Sequence, residues 1–189
     1  MVTVSLWITA LLSAGSPARP PVLSVPAVSS PSTAHVLPRA VGAPVRLSVE
    51  AASLAATVVP VGVGNDGRLQ VPEAGTVAGW WKDTAPPGSR QGATVIAGHL
   101  DTLRGPAVFA RLARAGRDDP VVVATTAGTV HYRVTAVTTR AGAAMPIEFL
   151  STTGPHRLIL VTCAGPYREG DGYRDRLYVE AAPESGLRR

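Results

Sequence analysis

Only one of the 189 residues is cysteine, aromatics are 5% and charged residues 16%. A lone Cys163 excludes an internal disulfide framework and any zinc or iron–sulfur cage built from several cysteines. The four histidines are scattered, so no metal and no cofactor is assigned. Long helices are also excluded, because 19 glycines and 17 prolines break the chain too often for a bundle or coiled coil. Lysine is nearly absent: 17 of the 18 basic residues are arginine, Lys82 being the exception, a bias expected of a GC-rich coding genome. The net charge of +5 therefore does not argue for nucleic acid. Arg104, Arg111, Arg114 and Arg117 cluster over one short stretch, and no aromatics alternate with them as a base-stacking groove requires. A soluble basic surface, compatible with an acidic cell envelope, is the reading.

What is present is an ordered layout. Residues 1–15 are apolar and uncharged apart from the amino terminus, shorter than the ~20 residues of a spanning helix. They fit a signal-peptide core, or a membrane anchor beginning upstream of Met1. Residues 16–44 carry seven prolines among serine, alanine and valine and read as an extended linker. The folded body then spans 45–182, with 183–189 as a tail. Together these parts are the layout of a protein displayed outside a membrane, anchored or secreted.

Within the body, short β-type runs alternate with turn residues. Ala56–Gly64 leads into Asn65-Asp66-Gly67, a turn signal. Thr94–Ala97, Pro120–Thr125, Thr129–Val137, Arg157–Thr162 and Leu177–Ala181 read as further strands. Gly105–Ala115 places Val108, Leu112 and Ala115 on one helical face with Pro106 in the first turn, so a short helix is expected. Pro146–Leu150 reads as one helical turn. This all-β pattern, without βαβ alternation, implies a closed barrel or a sandwich.

Chemistry concentrates in three segments. Cys163 ends the apolar run of LILVTCAGPY, where a strand holds the backbone and the side chain reaches the rim of the core. Such a cysteine is either a buried structural residue or a nucleophile; a single unpaired thiol in an exported protein favours the second. Its unperturbed pKa of about 8.5 demands a base or cationic partner. Of the histidines, His35 lies in the linker, His131 faces solvent mid-strand and His156 precedes a strand. His99 instead ends a buried strand in TVIAGHLDT, with Gly98 allowing close approach and Asp101 available to orient an imidazole. In GYRDRLYVEA, alternation puts Leu177 and Val179 inward and Arg174, Arg176 and Tyr178 outward. An arginine here supplies a fixed cationic fork for an oxyanion. Periodicity does not separate Arg174 from Arg176; the latter is preferred as nearer the strand centre.

GHLDT, VTCAG and YRDRLYV together resemble the sortases. GPAVFARL (Gly105–Leu112) is similar to class F sortases of actinobacteria, while RLYV is more like classes C and E. The likeness extends from about Arg46 to Ala181. It implies a closed β-barrel of about seven to eight strands with one or two short helices. It also implies a cysteine transpeptidase using His99, Cys163 and Arg176. Such an enzyme cleaves an LPxTG-like C-terminal signal between Thr and Gly, holds the acyl part as a thioester and passes it to an amine. The implied partners are LPxTG-bearing surface proteins, a peptidoglycan-precursor amine and the membrane, with the enzyme a monomer. Met145, Ile147 and Phe149 are candidates for the substrate groove wall, or else ordinary core. Two competing readings remain. An L,D-transpeptidase usually carries histidine and glycine shortly before its cysteine, where Leu160-Val161-Thr162 stands here. A catalytically silent envelope-binding module would not need the intact His99, Cys163 and Arg176.

Overall fold

Alternating burial organises the described chain into strands that close on themselves. The computed structural model describes residues 41–142, 144–170 and 172–184. The segment 1–15, residues 16–40 of the linker and residues 185–189 lie outside the described residues. Ten strands follow in order: β1 (Pro44–Val49), β2 (Leu54–Val61), β3 (Val77–Trp81), β4 (Ala93–Ala97), β5 (Asp101–Thr102), β6 (Gly105–Pro106), β7 (Pro120–Thr125), β8 (Gly128–Ala141), β9 (Arg157–Arg168) and β10 (Gly172–Pro183). Eight of them form a closed barrel in the order β1-β2-β3-β4-β9-β10-β8-β7, and β5 with β6 makes a separate ribbon. Closure leaves none of the barrel strands with an unpaired edge.

The pairs β2–β3 and β4–β9 are parallel and the remaining barrel pairs antiparallel. β4, which lies between β3 and β9 and is covered on both faces, is buried at all five positions. Two apolar layers result. The inner one fills the barrel with residues such as Leu47, Ile96, Val123, Leu158, Leu160, Leu177 and Val179. The outer one covers β4, β9 and β10 with Val95, Ala97, Ile159, Val161 and Tyr178, sealed by Phe149 and partly by Leu69, Val71, Trp81 and Met145.

Three differences from the sequence reading stand out. Gly105–Ala115 is not a continuous helix. Gly105 and Pro106 pair with Asp101 and Thr102, and only Leu112–Arg114 forms a single 3-10 turn. Val108, Leu112 and Ala115 still face the core, but Phe109, wholly buried, is its anchor. The amide of Phe109 bonds to His99 O, so a tertiary contact replaces the helical ladder. Pro146–Leu150 does contain a 3-10 turn at Ile147–Leu150. Strands β1 and β3 were not anticipated, and β8, β9 and β10 run well beyond the apolar stretches that signalled them. Among the described residues no helix is long and apolar enough to cross a membrane.

Candidate active site

Strand register sets Arg176 beside Cys163, and the end of the neighbouring β4 leads into His99. On β10, Arg176 pairs directly opposite Cys163 of β9. On the other side of β9, the parallel pairing runs to Ala97 opposite Val161. Cys163 lies two residues further along β9, and His99 two residues beyond Ala97, past the end of β4, with Gly98 N still bonded to Val161 O. Side chains two apart share a face. Cys163 therefore continues the face of Ile159 and Val161 on β9, and Arg176 that of Tyr178 on β10. Cys163 and Arg176 extend the outer apolar layer at its end, and both they and His99 are half-buried.

The backbone before His99 is clamped from three sides. Gly98 N donates to Val161 O at 3.2 Å, extending the ladder past the end of β4. Gly98 O accepts from the buried Thr162 hydroxyl at 2.8 Å. The Gly98 α-carbon lies on the Phe109 ring, where a Cβ would stand 2.8–2.9 Å from three ring atoms. Phe109 N closes the arrangement by donating to His99 O at 3.0 Å. Only glycine fits there, and that explains the Gly-His pair better than turn geometry does.

Arg176 is held without being neutralised. Its Nη1 donates to the carbonyls of Tyr173 at 2.9 Å and Asp175 at 2.8 Å, and among the described residues no carboxylate pairs with it. The guanidinium has five donors in a fixed plane, so donors remain for a ligand. The β9–β10 register shifts between Tyr173 and Asp175, the extra residue lying on β9, where Gly165 and Pro166 stand against Arg174. Alternation along β10 is unaffected, so exposure and register, not the face, distinguish the two arginines. Arg174 is exposed, whereas Arg176 is the residue in register with the thiol. Gly165, at φ 81°, supports the same turn. A Cβ there would lie 2.6 Å from the Asp175 carboxylate.

A β-barrel with a parallel β4–β9 pair, a cysteine ending β9 and an arginine opposite it can now be compared with known proteins. Residues 47–184 match the sortase domain family. This chain belongs to the sortase family. Its fold is similar to a lid mutant of Streptococcus agalactiae sortase C1 (15% identity, TM-score 0.57, covering 74% of this chain and 66% of that one). It is also similar to Streptococcus pneumoniae sortase C (17%, 0.57, 74% and 65%) and to Corynebacterium diphtheriae sortase A (20%, 0.58, 77% and 61%). The chain thus spans a little under two thirds of each of these relatives. At such identities the likeness is one of fold. No curated protein matches in sequence.

Other residues singled out in this sortase take distinct places. Asp101 is exposed and accepts the Tyr173 hydroxyl at 2.5 Å; no hydrogen bond joins it to His99 among the described residues. Phe149 is buried against Tyr178, ring centroids 4.9 Å apart, beneath the guanidinium groups of Arg140 and Arg157. Tyr178 does face outward as alternation requires, yet it is buried, and burial raises its phenol pKa above 10. Met145 is partly buried on the same layer, while Ile147 is 81% exposed. Glu148 accepts from Arg140 at 2.6 Å and its carbonyl from Arg157; its own backbone and then Arg140 hold its carboxyl below the usual range. His131 is exposed, and His156 is buried with Tyr132 Oη 3.0 Å from its Nε2. His99 also lines a groove of about 520 Å³ with the turn Gly64–Val71. Residues that sequence reasoning missed are Phe109, Thr162 and Tyr173. Phe109 lay in plain view in GPAVFARL, but its contact with Gly98 has no local signal.

Proposed function

We propose that this sortase is a cysteine transpeptidase that cuts an LPxTG-like sorting signal and transfers the acyl part to a cell-wall amine. The observation that carries the reading is the register of a cysteine opposite an unneutralised arginine, and it is supported by a histidine two residues beyond the β4 strand that pairs with the cysteine's own strand. The partly buried Leu69, Val71 and Met145 at the margin of the outer layer offer apolar surface for the Leu and Pro of such a signal.

Cys163 Sγ, as thiolate, attacks the Thr carbonyl carbon, and the carbonyl electron pair becomes an oxyanion. Arg176 donates charge-assisted hydrogen bonds to that oxygen. As the tetrahedral species collapses, the C–N bond breaks and His99 gives its proton to the leaving glycine amine. The thioester on Cys163 remains. An incoming amine loses a proton to His99 as it attacks, a second oxyanion forms against Arg176, and the thiolate leaves. No step calls on a metal or cofactor.

GPAVFARL supports a class F assignment within the family. With 1–15 as an export or anchoring segment and 16–44 as a tether, the body at 45–182 works outside the membrane, and its donors are LPxTG-bearing surface proteins. The test is incubation with a fluorogenic LPxTG peptide library, with and without amine nucleophiles, followed by mass spectrometry of the protein. An acyl adduct on Cys163 that disappears on amine addition is expected. Cleavage that persists in Cys163→Ala would refute the reading.

A further inference from the structure

Tyr173 makes two connections at the rim. Its hydroxyl donates to Asp101 Oδ2 at 2.5 Å, joining residues 72 positions apart. Its carbonyl accepts Arg176 Nη1 at 2.9 Å. Asp101 stands two residues beyond His99 and opens β5, whose ribbon with β6 shares no strand pairing with β9 or β10. Arg176 is the residue in register with Cys163. One side chain and its own peptide therefore tie the segment carrying the histidine to the residue carrying the guanidinium, across the nucleophile. The Tyr173 ring is itself steadied, lying edge-on to Tyr167 with centroids 5.4 Å apart. A hydroxyl given to an ionised carboxylate is among the stronger neutral-donor hydrogen bonds.

We propose that the Tyr173–Asp101 hydrogen bond is a positioning bridge that holds His99 and Arg176 at their working separation across the Cys163 thiol. Among the described residues no hydrogen bond joins either bridge side chain to the Cys163 thiol or the His99 ring. The proposal rests on the transpeptidase reading of the rim and adds to it a device that fixes the site's width. Tyr173 is kept as a donor: the Asp101 hydrogen bond first, then burial, then the charges of Asp101 and a Cys163 thiolate raise its phenol pKa above 10. Asp101 thus acts on His99 through the course of the chain rather than through a hydrogen bond to the ring.

The test uses the full chain and four variants, with circular dichroism and thermal midpoints checking the fold. Tyr173→Phe removes the donor, and Asp101→Ala removes the acceptor. Asp101→Asn keeps an acceptor oxygen without the charge. Each bridge-breaking variant should lose ~10–100-fold in kcat on an LPxTG peptide with KM nearly unchanged, the scale of a misplaced catalytic group. Asp101→Asn should stay within about three-fold of wild type. The double variant Asp101→Ala/Tyr173→Phe should be no worse than either single one, because both remove the same link. A second readout needs no peptide: the rate of Cys163 alkylation by iodoacetamide should fall several-fold in Tyr173→Phe and hold in Asp101→Asn. Multiplying losses in the double variant, a loss confined to KM, or unaltered kcat and alkylation in Tyr173→Phe would each overturn the bridge. A wild-type enzyme inactive on every peptide would instead sink the transpeptidase reading, while the alkylation rates still decide the bridge.

Discussion

Replacing Gly98 by alanine adds one methyl group at the point where the site is most tightly determined. The new Cβ would meet Cγ, Cδ1 and Cδ2 of Phe109 at 2.8–2.9 Å, whereas ordinary contacts begin at 3.4 Å. Something must give by about half an ångström, and the choices are poor. The ring is 0% exposed and packed within the barrel core, so it has little room to retreat. The Gly98 backbone is fixed by Val161 O on one side and the Thr162 hydroxyl on the other. Overpacking of this kind costs about 1–3 kcal/mol. For a domain of this size that lowers the thermal midpoint by about 3–10 °C. Activity should suffer more than stability. Phe109 N is bonded to His99 O, so moving either group shifts the imidazole, and a misplacement near 1 Å costs ~10² in rate. The assay pairs thermal unfolding by circular dichroism with kcat/KM on an LPxTG peptide. Phe109→Leu in the Gly98→Ala background removes ring atoms at the collision and should recover part of both losses. A Gly98→Ala enzyme with native midpoint and native kcat/KM would refute the claim that this contact sets the position of His99.

Arg176→Ala should cost ~10²–10³ in kcat/KM, the loss typical of one oxyanion donor, while Arg174→Ala stays within a few-fold; the opposite ranking would reassign the arginine. Thr162→Val keeps shape but leaves Gly98 O unbonded in a site where Thr162 is only 3% exposed. A loss of about 1–3 kcal/mol in urea unfolding is expected, and no loss would show that the clamp is not needed. Glu148 gives a pH signature. Its carboxyl is lowered from 4.5 in the folded state, so its contribution to stability is complete above that value and fades as pH falls through the lowered one. The midpoint difference between wild type and Glu148→Gln should therefore shrink as the pH drops from about 6 to about 3; a difference that grows on acidification would contradict the sign.

Much of the barrel was readable because its core strands are short apolar runs bounded by glycine and proline. Pro120–Thr125 is β7 to the residue, and Thr94–Ala97 is β4 less one. Other features depended on partners outside the window being read. Strand β3, VAGWW, has a glycine at its centre, yet Gly79 is there because Val61 and Pro72 press within 2.9–3.1 Å of where a Cβ would be. Residues Gly105–Ala115 have helical periodicity in their apolar positions, and burial of Leu112 and Ala115 honours it. The ribbon with Asp101–Thr102 and the Phe109–His99 hydrogen bond take the backbone away from a helix all the same. Tertiary bonds outweighed a propensity weakened by Pro106.

At the rim, each of Cys163, His99 and Arg176 was legible as a residue at a strand end or on an outer face. Strand ends alone allowed Cys163 and His99 to converge only if their strands were neighbours, and that neighbourhood rests on a parallel register between segments more than sixty positions apart. Alternation likewise reports which side of a sheet a residue takes, but not what covers that side. Tyr178 illustrates this: it faces outward, as its spacing from Leu177 and Val179 demands, and is buried under Phe149. The outer face of β4, β9 and β10 carries a second apolar layer that a one-core reading had no reason to expect. That layer explains where the chemistry sits. Along β9 the outward positions pass from fully buried Ile159 and nearly buried Val161 to half-exposed Cys163, and along β10 from buried Tyr178 to half-exposed Arg176. The reactive groups occupy the margin where the covering stops. A thiol there is held by a strand buried on both faces while its sulfur remains open to a substrate, a combination that neither the barrel interior nor an exposed loop provides.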